Sequence, residues 1–237
     1  MPNHITNQLA IIGQNPEKVL DAVEGKDEEG ETLFDFNKIA PMPKSLHCDC
    51  GSGGDGAYDL LYGDWRKEVN LWKSWDKQKS ISNNYPITRK HAIRYAKEKY
   101  ADRYDWKLGK LYKSNEQTYG HRTWYSWAIE NWGTKWNAYS IDLLPPNVIR
   151  FDTAWSTPEP IIKALSKMFP DYKFEIEWAD EDTGYNVGRA VFENGKIISV
   201  YQPKGGSKEA YELCFSINPI SADYFELVGD NYQYKEE

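Results

Sequence analysis

The chain has 237 residues, with 29 Lys and Arg against 36 Asp and Glu, and a formal net charge of −7. This length fits one large domain, or one domain with a sizeable insertion, that needs neither a disulfide nor a metal for stability. No apolar run reaches the ~18 residues of a membrane span, the N-terminus lacks a secretory leader, and three cysteines make no disulfide framework. We therefore expect a cytoplasmic protein without a cofactor.

The charges are unevenly distributed along the chain. Residues 66–135 hold 16 Lys and Arg and 7 Asp and Glu, whereas the remainder holds 13 and 29. Such asymmetry predicts two surfaces with different partners. The alternatives are that the two parts attract each other, or that both charged faces are merely solvated. The acidic total argues against a general nucleic-acid coat.

The first predicted elements precede the basic stretch. Residues 5–12 predict a strand, and Asn15 before Pro16 predicts the N-cap of a helix over 16–24. Alternation in LFDFNKI, residues 33–39, predicts a second strand. HCDCGSGGDG, residues 47–56, has too many glycines for a helix or a strand.

Helical patterns follow, and strands return near residue 138. Thr88 is the predicted N-cap of a helix that runs to about Tyr104. Ser156 with Glu159 matches a capping box, and Asn194-Gly195 is a strong hairpin signal. Helices are predicted at 124–131 and 157–169, and strands at 138–144, 147–155, 173–180, 188–192, 196–201, 212–217 and 224–228.

The order of these elements predicts the fold class. Without residues 45–122, two strand-helix-strand units remain. This is the plan of an α+β, ferredoxin-like antiparallel sheet with helices on one face. We expect a ferredoxin-like core at 1–44 and 123–237, and a basic, Trp- and Tyr-rich, mainly helical insertion at 45–122.

Four motifs occur in a familiar order: MPNHITNQLAIIG, FDFNKIAPMP, WYSWAIENWGTKWNAY and FDTAWSTPEPIIKALSKMFP. Together they resemble the YubB-like family of phage and plasmid proteins. The resemblance covers residues 1–43 and about 123–200, outside the glycine-rich turn and the basic insertion. It implies a ferredoxin-like domain and a mobile-element protein in a bacterial cell. It implies no reaction and no catalytic residues.

The insertion offers the first candidate site. Residues 65–136 hold eight of the ten Trp and seven Tyr but no Phe, interleaved with cations. This composition is typical of a single-strand nucleic-acid platform or a protein-binding surface, or of a helical subdomain with an aromatic core. Helical spacing predicts that four cations line one exposed face while Ile93, Ala96 and Tyr100 turn inward. These cations are Arg89, Lys90, Arg94 and Lys97.

The second candidate site lies in ENWGTKWNAYS, residues 130–140. Gly133 predicts the end of a helix with positive φ, and Trp136 the start of a strand. In one interpretation Trp132 and Trp136 pack over the sheet as a corner. In the other they form an aromatic shelf with Lys135 beside it, suited to a base or a nucleotide phosphate.

No metal site or catalytic set follows from the remaining residues. His47, Cys48 and Cys50 fall short of the four ligands of a structural zinc site, and Cys-x-Cys is tighter than its common spacing. A role for the two thiols stays open. The leading hypothesis is a non-enzymatic binding protein that engages a host macromolecule, with a defence-system component as the suggested target. The alternatives are a nucleic-acid or nucleotide binder and an enzyme whose residues are unidentified.

Overall fold

A computed structural model describes residues 2–26, 30–78 and 84–235. The chain divides into two compact units. We call Met1–Pro41 together with Ala128–Glu237 the sheet unit, and Met42–Trp127 the helical unit. Among the described residues, no helix is both long enough and apolar enough to cross a membrane.

The elements are numbered in chain order. The first part of the sheet unit holds β1 (His4–Ile12), α1 (Glu17–Val23), β2 (Gly25–Lys26) and β3 (Glu31–Thr32). The helical unit holds α2 (Ser52–Leu61), α3 (Arg66–Gln78), α4 (Arg89–Lys99) and α5 (Trp106–Tyr119), and α6 (Trp124–Asn131) spans the boundary. The sheet unit then continues with β4 (Tyr139–Leu144), β5 (Val148–Ala154), α7 (Glu159–Met168), β6 (Lys173–Asp180), β7 (Gly188–Glu193), β8 (Lys196–Tyr201), α8 (Lys208–Ile217), β9 (Phe225–Val228) and β10 (Asn231–Tyr234).

Six strands form the main sheet in the order β4-β5-β1-β6-β7-β8, and every neighbouring pair is antiparallel. The four strands β4, β5, β1 and β6, with α1 and α7, make the ferredoxin-like arrangement that the sequence predicts. The β7–β8 hairpin widens the sheet beyond this arrangement. Its turn has positive φ at Asn194 and Gly195, as the Asn-Gly signal predicts.

Alternation along the strands separates the two faces of the sheet. One face carries fully buried Leu9, Phe151 and Phe174, and α1 and α7 lie on it. In this core the rings of Phe34 and Phe151 meet edge to face at 4.9 Å, and the buried amide of Asn7 donates to the Thr153 hydroxyl at 2.9 Å.

The opposite face is more polar, and α8 covers one part of it. Gln8 donates to the carbonyl of Ile217 at 3.3 Å, and Arg150 donates to Asn218 at 2.8 Å, just beyond the end of α8. The expectation that the helices lie on one face therefore holds for α1 and α7 but not for α8.

Several sequence predictions in the sheet unit are wrong. The N-cap of α1 is Pro16 and not Asn15, and no side-chain hydrogen bond caps this helix. Residues 33–39 form no strand, because Asp35 accepts a hydrogen bond from the backbone of Asn37 and starts a 3-10 turn over Phe36–Lys38. Residues 212–217 are helical, since the Ser207 hydroxyl caps α8 through the backbone of Ala210. Ser156 forms no capping box and donates instead to the carbonyl of Gly133 at 2.5 Å.

The glycine-rich stretch is a further correction, because residues 52–61 form α2. Its glycines permit close helix packing. A Cβ at Gly54 would lie 2.7 Å from Leu108 of α5, and one at Gly56 would lie 2.6 Å from the Tyr104 ring. Gly109 of α5 faces Ala57 in the same way. Helix propensity here yields to a backbone approach that only glycine allows.

Aromatic residues fill the centre of the helical unit. Trp72 is fully buried, stacks on Tyr100 at 5.5 Å and donates its indole N–H to the Tyr104 hydroxyl at 2.8 Å. That hydroxyl donates onward to the Glu68 carboxylate at 2.5 Å. The polar tips of these rings are thus paired inside the core, which removes the usual cost of burying them.

A second network joins α2 to α5. The Tyr58 hydroxyl donates to Glu116 at 2.5 Å, while Lys113 and Arg122 each approach the same carboxylate at 3.1 Å. The guanidinium of Arg122 also lies 3.6 Å from the centre of the Tyr58 ring. These contacts lower the pKa of Glu116 to about 2, with the Tyr58 hydrogen bond as the largest cause.

Candidate functional site

The predicted basic helix exists, with shorter bounds. Thr88 accepts a hydrogen bond from the backbone of His91 and caps α4, as expected, but the helix ends at Lys99, before a 3-10 turn at Ala101–Arg103. Lys90, Arg94 and Lys97 are exposed. Ala92, Tyr95 and Ala96 of the same helix belong to the aromatic core of the helical unit. One face of α4 is therefore structural and the other presents cations to solvent.

The contacts of these three cations are weak. Arg94 lies 4.0 Å from Glu98 in an exposed pair, which contributes little to stability. The ammonium of Lys97 lies 5.3 Å from the centre of the Trp106 ring. We call Lys90, Arg94 and Lys97 the basic face.

Arg89 does not belong to the basic face, contrary to the sequence prediction. Its guanidinium donates to the carbonyls of Asp59, Leu60 and Gly63 at 3.3, 3.0 and 2.7 Å. It therefore satisfies carbonyl groups at and beyond the end of α2, which helices otherwise leave without intrahelical partners. Its role is structural.

The aromatic residues of the insertion make no stacking platform around this face. Trp65, Trp72, Tyr95 and Tyr104 are core residues, with Trp75, Tyr85, Tyr100 and Trp106 packed half-buried against them. This agrees with the alternative that the aromatic-rich segment supplies a core. A surface for this unit must rest on its charges.

The corner after α6 is fixed by its backbone. Gly133 has φ of 79°, and a Cβ there would lie 2.5 Å from Pro160. The Thr134 hydroxyl donates to the carbonyl of Ala154 at 2.7 Å and accepts from its N–H, so that it extends the pairing of β5. The next strand begins at Tyr139 and not at Trp136 as predicted.

The two tryptophans of this corner differ. Trp132 is 4% exposed, donates to the carbonyl of Ala40 at 2.9 Å and meets Phe36 edge to face at 5.8 Å. It is a core residue. Trp136 is 37% exposed and contacts the ring of Tyr139. Of the two tryptophans in the predicted shelf, only Trp136 is therefore exposed to a ligand.

A tryptophan that the sequence analysis did not select completes the shelf. The Lys135 ammonium lies 4.6 Å from the ring centre of Trp136 and 4.9 Å from that of Trp155, which is 43% exposed. We call Lys135, Trp136 and Trp155 the indole clamp. Trp155 directly follows β5, and its position after a strand gave no signal that it approaches Lys135.

The backbone of Trp155 has an uncommon conformation. Its φ is 72°, in the left-handed region that a bulky residue rarely adopts. The Trp155 N–H donates to the carbonyl of Asn3 at 2.9 Å, and its carbonyl accepts from Asn186. Strain of this kind persists only where the surroundings impose it, and it is frequent at binding sites.

Polar residues adjoin the clamp at the start of β1. The Tyr139 hydroxyl and the Nδ1 atom of His4 are 2.8 Å apart. Burial, with Asp152 and Glu181 as smaller causes, raises the pKa of Tyr139 to about 12. Burial also raises the pKa of Asp152. Carboxylates therefore act on Tyr139, whose ring contacts Trp136 of the clamp, and their charge opposes an anionic ligand there.

The two thiols of the glycine-rich segment make local contacts. The Cys48 thiol donates to the carbonyl of Arg122 at 3.9 Å, and the Thr123 hydroxyl donates to Cys50 at 3.7 Å. Burial, followed by Cys50 and Asp49, raises the pKa of Cys48. A raised pKa leaves less thiolate at neutral pH, so nothing here activates Cys48 as a nucleophile.

One comparison with known proteins supports the fold class. A family model described as a ferredoxin-like domain in Api92-like protein matches residues 131–218, which run from the end of α6 through α8. The chain is also similar in structure to a protein api92 from Yersinia pseudotuberculosis, with 13% identity and a TM-score of 0.40 over 87% of this chain and 99% of that one. No curated protein matches the chain. Residues 131–218 are thus similar to the ferredoxin-like domain of Api92-like proteins.

Proposed function

We propose that this chain is a non-enzymatic binding protein, and that the basic face on α4 engages a negatively charged macromolecule. The observation that carries the proposal is the division of α4 between core residues and the exposed Lys90, Arg94 and Lys97. Exposed cations contribute little to folding. They do attract and orient an acidic partner, so binding is the physical role that remains for them.

The biological setting is a finer part of the proposal. The four motifs that resemble the YubB-like family support a phage or plasmid origin and a place in the bacterial cytoplasm. A mobile-element protein meets host macromolecules there, and we propose that the partner is a host protein, with a component of a defence system as the first candidate.

The experiment compares partner capture by two charge-reversed variants. The test variant is Lys90→Glu/Arg94→Glu/Lys97→Glu. The control is Lys163→Glu/Lys167→Glu/Lys204→Glu, which makes the same change in net charge at exposed positions of the sheet unit. Each is used to capture partners from bacterial host lysate, with and without nuclease.

The proposal expects that wild type and control retain the same partner and that the test variant loses it. Capture that survives nuclease identifies a protein partner. Capture that nuclease abolishes, with a steep salt dependence, identifies nucleic acid. Equal capture by the test variant and wild type would show that the basic face is only solvated.

A second candidate function is nucleotide binding at the indole clamp. Two part-exposed indole rings, with centres 4.6 and 4.9 Å from one ammonium, could stack a base while the ammonium holds a phosphate. The nearby Asp152 and Glu181 weigh against an anion, which places this function second.

Tryptophan fluorescence during titration with ATP, and separately with a single-stranded oligonucleotide, tests the clamp. Saturable quenching that Lys135→Gln weakens about tenfold, with Lys163→Gln unchanged, would support nucleotide binding. Unchanged fluorescence in millimolar ATP and in the oligonucleotide would exclude it.

A further inference from the structure

The two outer strands of the main sheet differ in how well they are protected. An outer strand exposes a row of backbone N–H and C=O groups, and natural proteins blunt such strands with charges, bulges, prolines or short pairing. Within the described residues, β4 and β8 are the outer strands of this sheet.

Strand β4 has several of these protections. Its pairing with β5 is interrupted between Tyr139 and Asp142, and Ser140 has φ of 51°. Asp142 places a charge in the middle of the strand, and Pro145 and Pro146 follow its end. A further strand could not pair regularly along β4.

Strand β8 has fewer of these protections. All six of its residues, KIISVY, are exposed, and Lys196 at its first position is the only charged one. Pairing with β7 shifts between Val191 and Phe192, which leaves Ile198 as an extra residue, but that residue is apolar and exposed. Val200 is 56% exposed, although it lies on the same face as buried Phe174. Apolar, β-prone segments of this length readily pair with another strand.

On the sheet face that carries α1 and α7, the space beside β8 is also open. The end of α7 contacts the turn of the β7–β8 hairpin, where the Gly195 N–H donates to the Ser166 hydroxyl at 3.0 Å. A groove of about 470 Å³ lies between the start of α7 and this hairpin. Its apolar lining includes Phe192 of β7 and Ile197 and Val200 of β8. Exposed apolar residues in a groove beside the outer edge of β8 indicate that one partner covers both the groove and this edge.

We propose that β8 pairs antiparallel with β8 of a second copy of this chain, which would make one sheet continuous across a twofold axis. Antiparallel pairing about a point between Ile198 and Ser199 sets Ile197 opposite the second copy's Val200. It sets Lys196 opposite the second copy's Tyr201, so no like charges meet. Lys196 also faces Glu193 of its own β7, which balances its charge.

This self-complementarity is the reason for choosing a second copy over an unrelated peptide. On the sheet face that carries α1 and α7, Ile197 and Val200 each lie opposite an aliphatic side chain of the second copy. The same patch therefore serves both partners, as a twofold interface requires. Six paired residues make a small contact, below the ~1,200 Å² of stable complexes. We therefore expect a dissociation constant on the order of 10 μM.

Sedimentation velocity over a range of concentrations tests the pairing with two matched variants. Val200→Lys adds a charge to β8, and Leu143→Lys adds the same charge to β4, where Leu143 is 49% exposed. We expect wild type and Leu143→Lys to form the same dimer, and Val200→Lys to raise the dissociation constant at least about tenfold, since the twofold axis brings both new charges into one interface.

Hydrogen exchange of wild type gives a second readout that depends on no variant. Backbone amides of 197–201 should gain protection as concentration rises, and those of 139–144 should not. A wild type that remains monomeric to about 500 μM, a dimer that Val200→Lys leaves unchanged, or protection confined to β4 would each overturn the proposal. A monomer whose β8 gains protection only with another protein would also overturn it.

Discussion

The sheet unit and the helical unit bury different chemistry and expose different charge. The sheet unit has 13 Lys and Arg against 26 Asp and Glu, while the helical unit has 16 against 10. The sheet core centres on Phe and aliphatic residues, whereas the helical core is built from Trp and Tyr whose polar tips are paired inside it.

This difference teaches that aromatic abundance is a poor guide to exposure. The segment richest in Trp and Tyr holds most of these rings in its core or packed against it, because Tyr104 and Glu68 accept the hydrogen bonds that buried rings must donate. Trp136 and Trp155, both exposed, belong to the acidic sheet unit. In the helical unit the aromatic residues form the core, and the exposed cations are the residues for which we propose a binding role.

The largest effect should come from Trp72 in the aromatic core. Trp72→Ala should lower the free energy of unfolding by ~3–5 kcal/mol, measured by urea denaturation, as large-to-small changes of buried aromatic residues do. Trp72→Phe keeps a smaller aromatic ring in the core but removes the N–H donor to Tyr104, so its loss includes the polar contribution. Phe174→Leu in the sheet core is the comparison, because its loss involves no hydrogen bond. A Trp72→Phe variant as stable as wild type would contradict a polar contribution.

Substitutions of the two corner tryptophans, Trp132 and Trp136, should differ in their cost to stability because the two rings differ in exposure. Trp132→Ala should cost ~3–5 kcal/mol, because its ring is buried and its N–H holds the carbonyl of Ala40. Trp136→Ala should cost less than about 1 kcal/mol, as exposed substitutions usually do. Thermal melting of the two variants side by side gives the answer. Comparable losses would show that Trp136 packs as a corner residue and serves no ligand.

The carboxylate of Glu116 should make the helical unit sensitive to acid. Its pKa is lowered to about 2 in the folded protein from an ordinary 4.5, so the charged form stabilises the fold above pH 4.5 and that contribution is lost as the pH falls toward 2. Glu116→Gln should cost about 1.5–3 kcal/mol at pH 7, the value of hydrogen bonds to a charged group. Below about pH 2 the variant and wild type should converge. A constant difference from pH 7 to pH 2 would assign the loss to shape and not to charge.

Arg89 and Lys90 are adjacent cations with different predicted effects. Arg89→Ala should cost about 1.5–3 kcal/mol, because it removes a charged donor from three backbone carbonyls. Lys90→Ala should change stability by less than about 0.5 kcal/mol. Urea denaturation of both variants distinguishes them, and a neutral Arg89→Ala would return that residue to the exposed face predicted from sequence.

Much of the sheet unit was predictable, because period-2 alternation is strong where one face is buried. Strand β6 and helix α6 have the predicted bounds. The errors arose where a single side chain redirected the backbone, as Asp35 does in the 3-10 turn and Ser207 does at α8. Glycines in α2 misled for another reason: their function is close packing against α5, which a local pattern cannot show.

The candidate sites were predictable only in part. Helical spacing correctly put Lys90, Arg94 and Lys97 opposite the core, but it could not show that Arg89 reaches carbonyls of α2 some 26 to 30 residues earlier. Spacing also placed Trp132 and Trp136 together, although one is buried and the other exposed. Trp155 joins Lys135 across 20 residues through the tertiary fold, and no local signal encodes that contact.

The central claim is that stability and binding in the helical unit depend on separate residues, and urea unfolding of Lys90→Glu/Arg94→Glu/Lys97→Glu tests it most directly. Because all three cations are exposed, the variant should keep the free energy of unfolding of wild type to within about 0.5 kcal/mol. A loss of about 2 kcal/mol or more would mean that these cations hold the fold together, as Arg89 does, and would contradict the account.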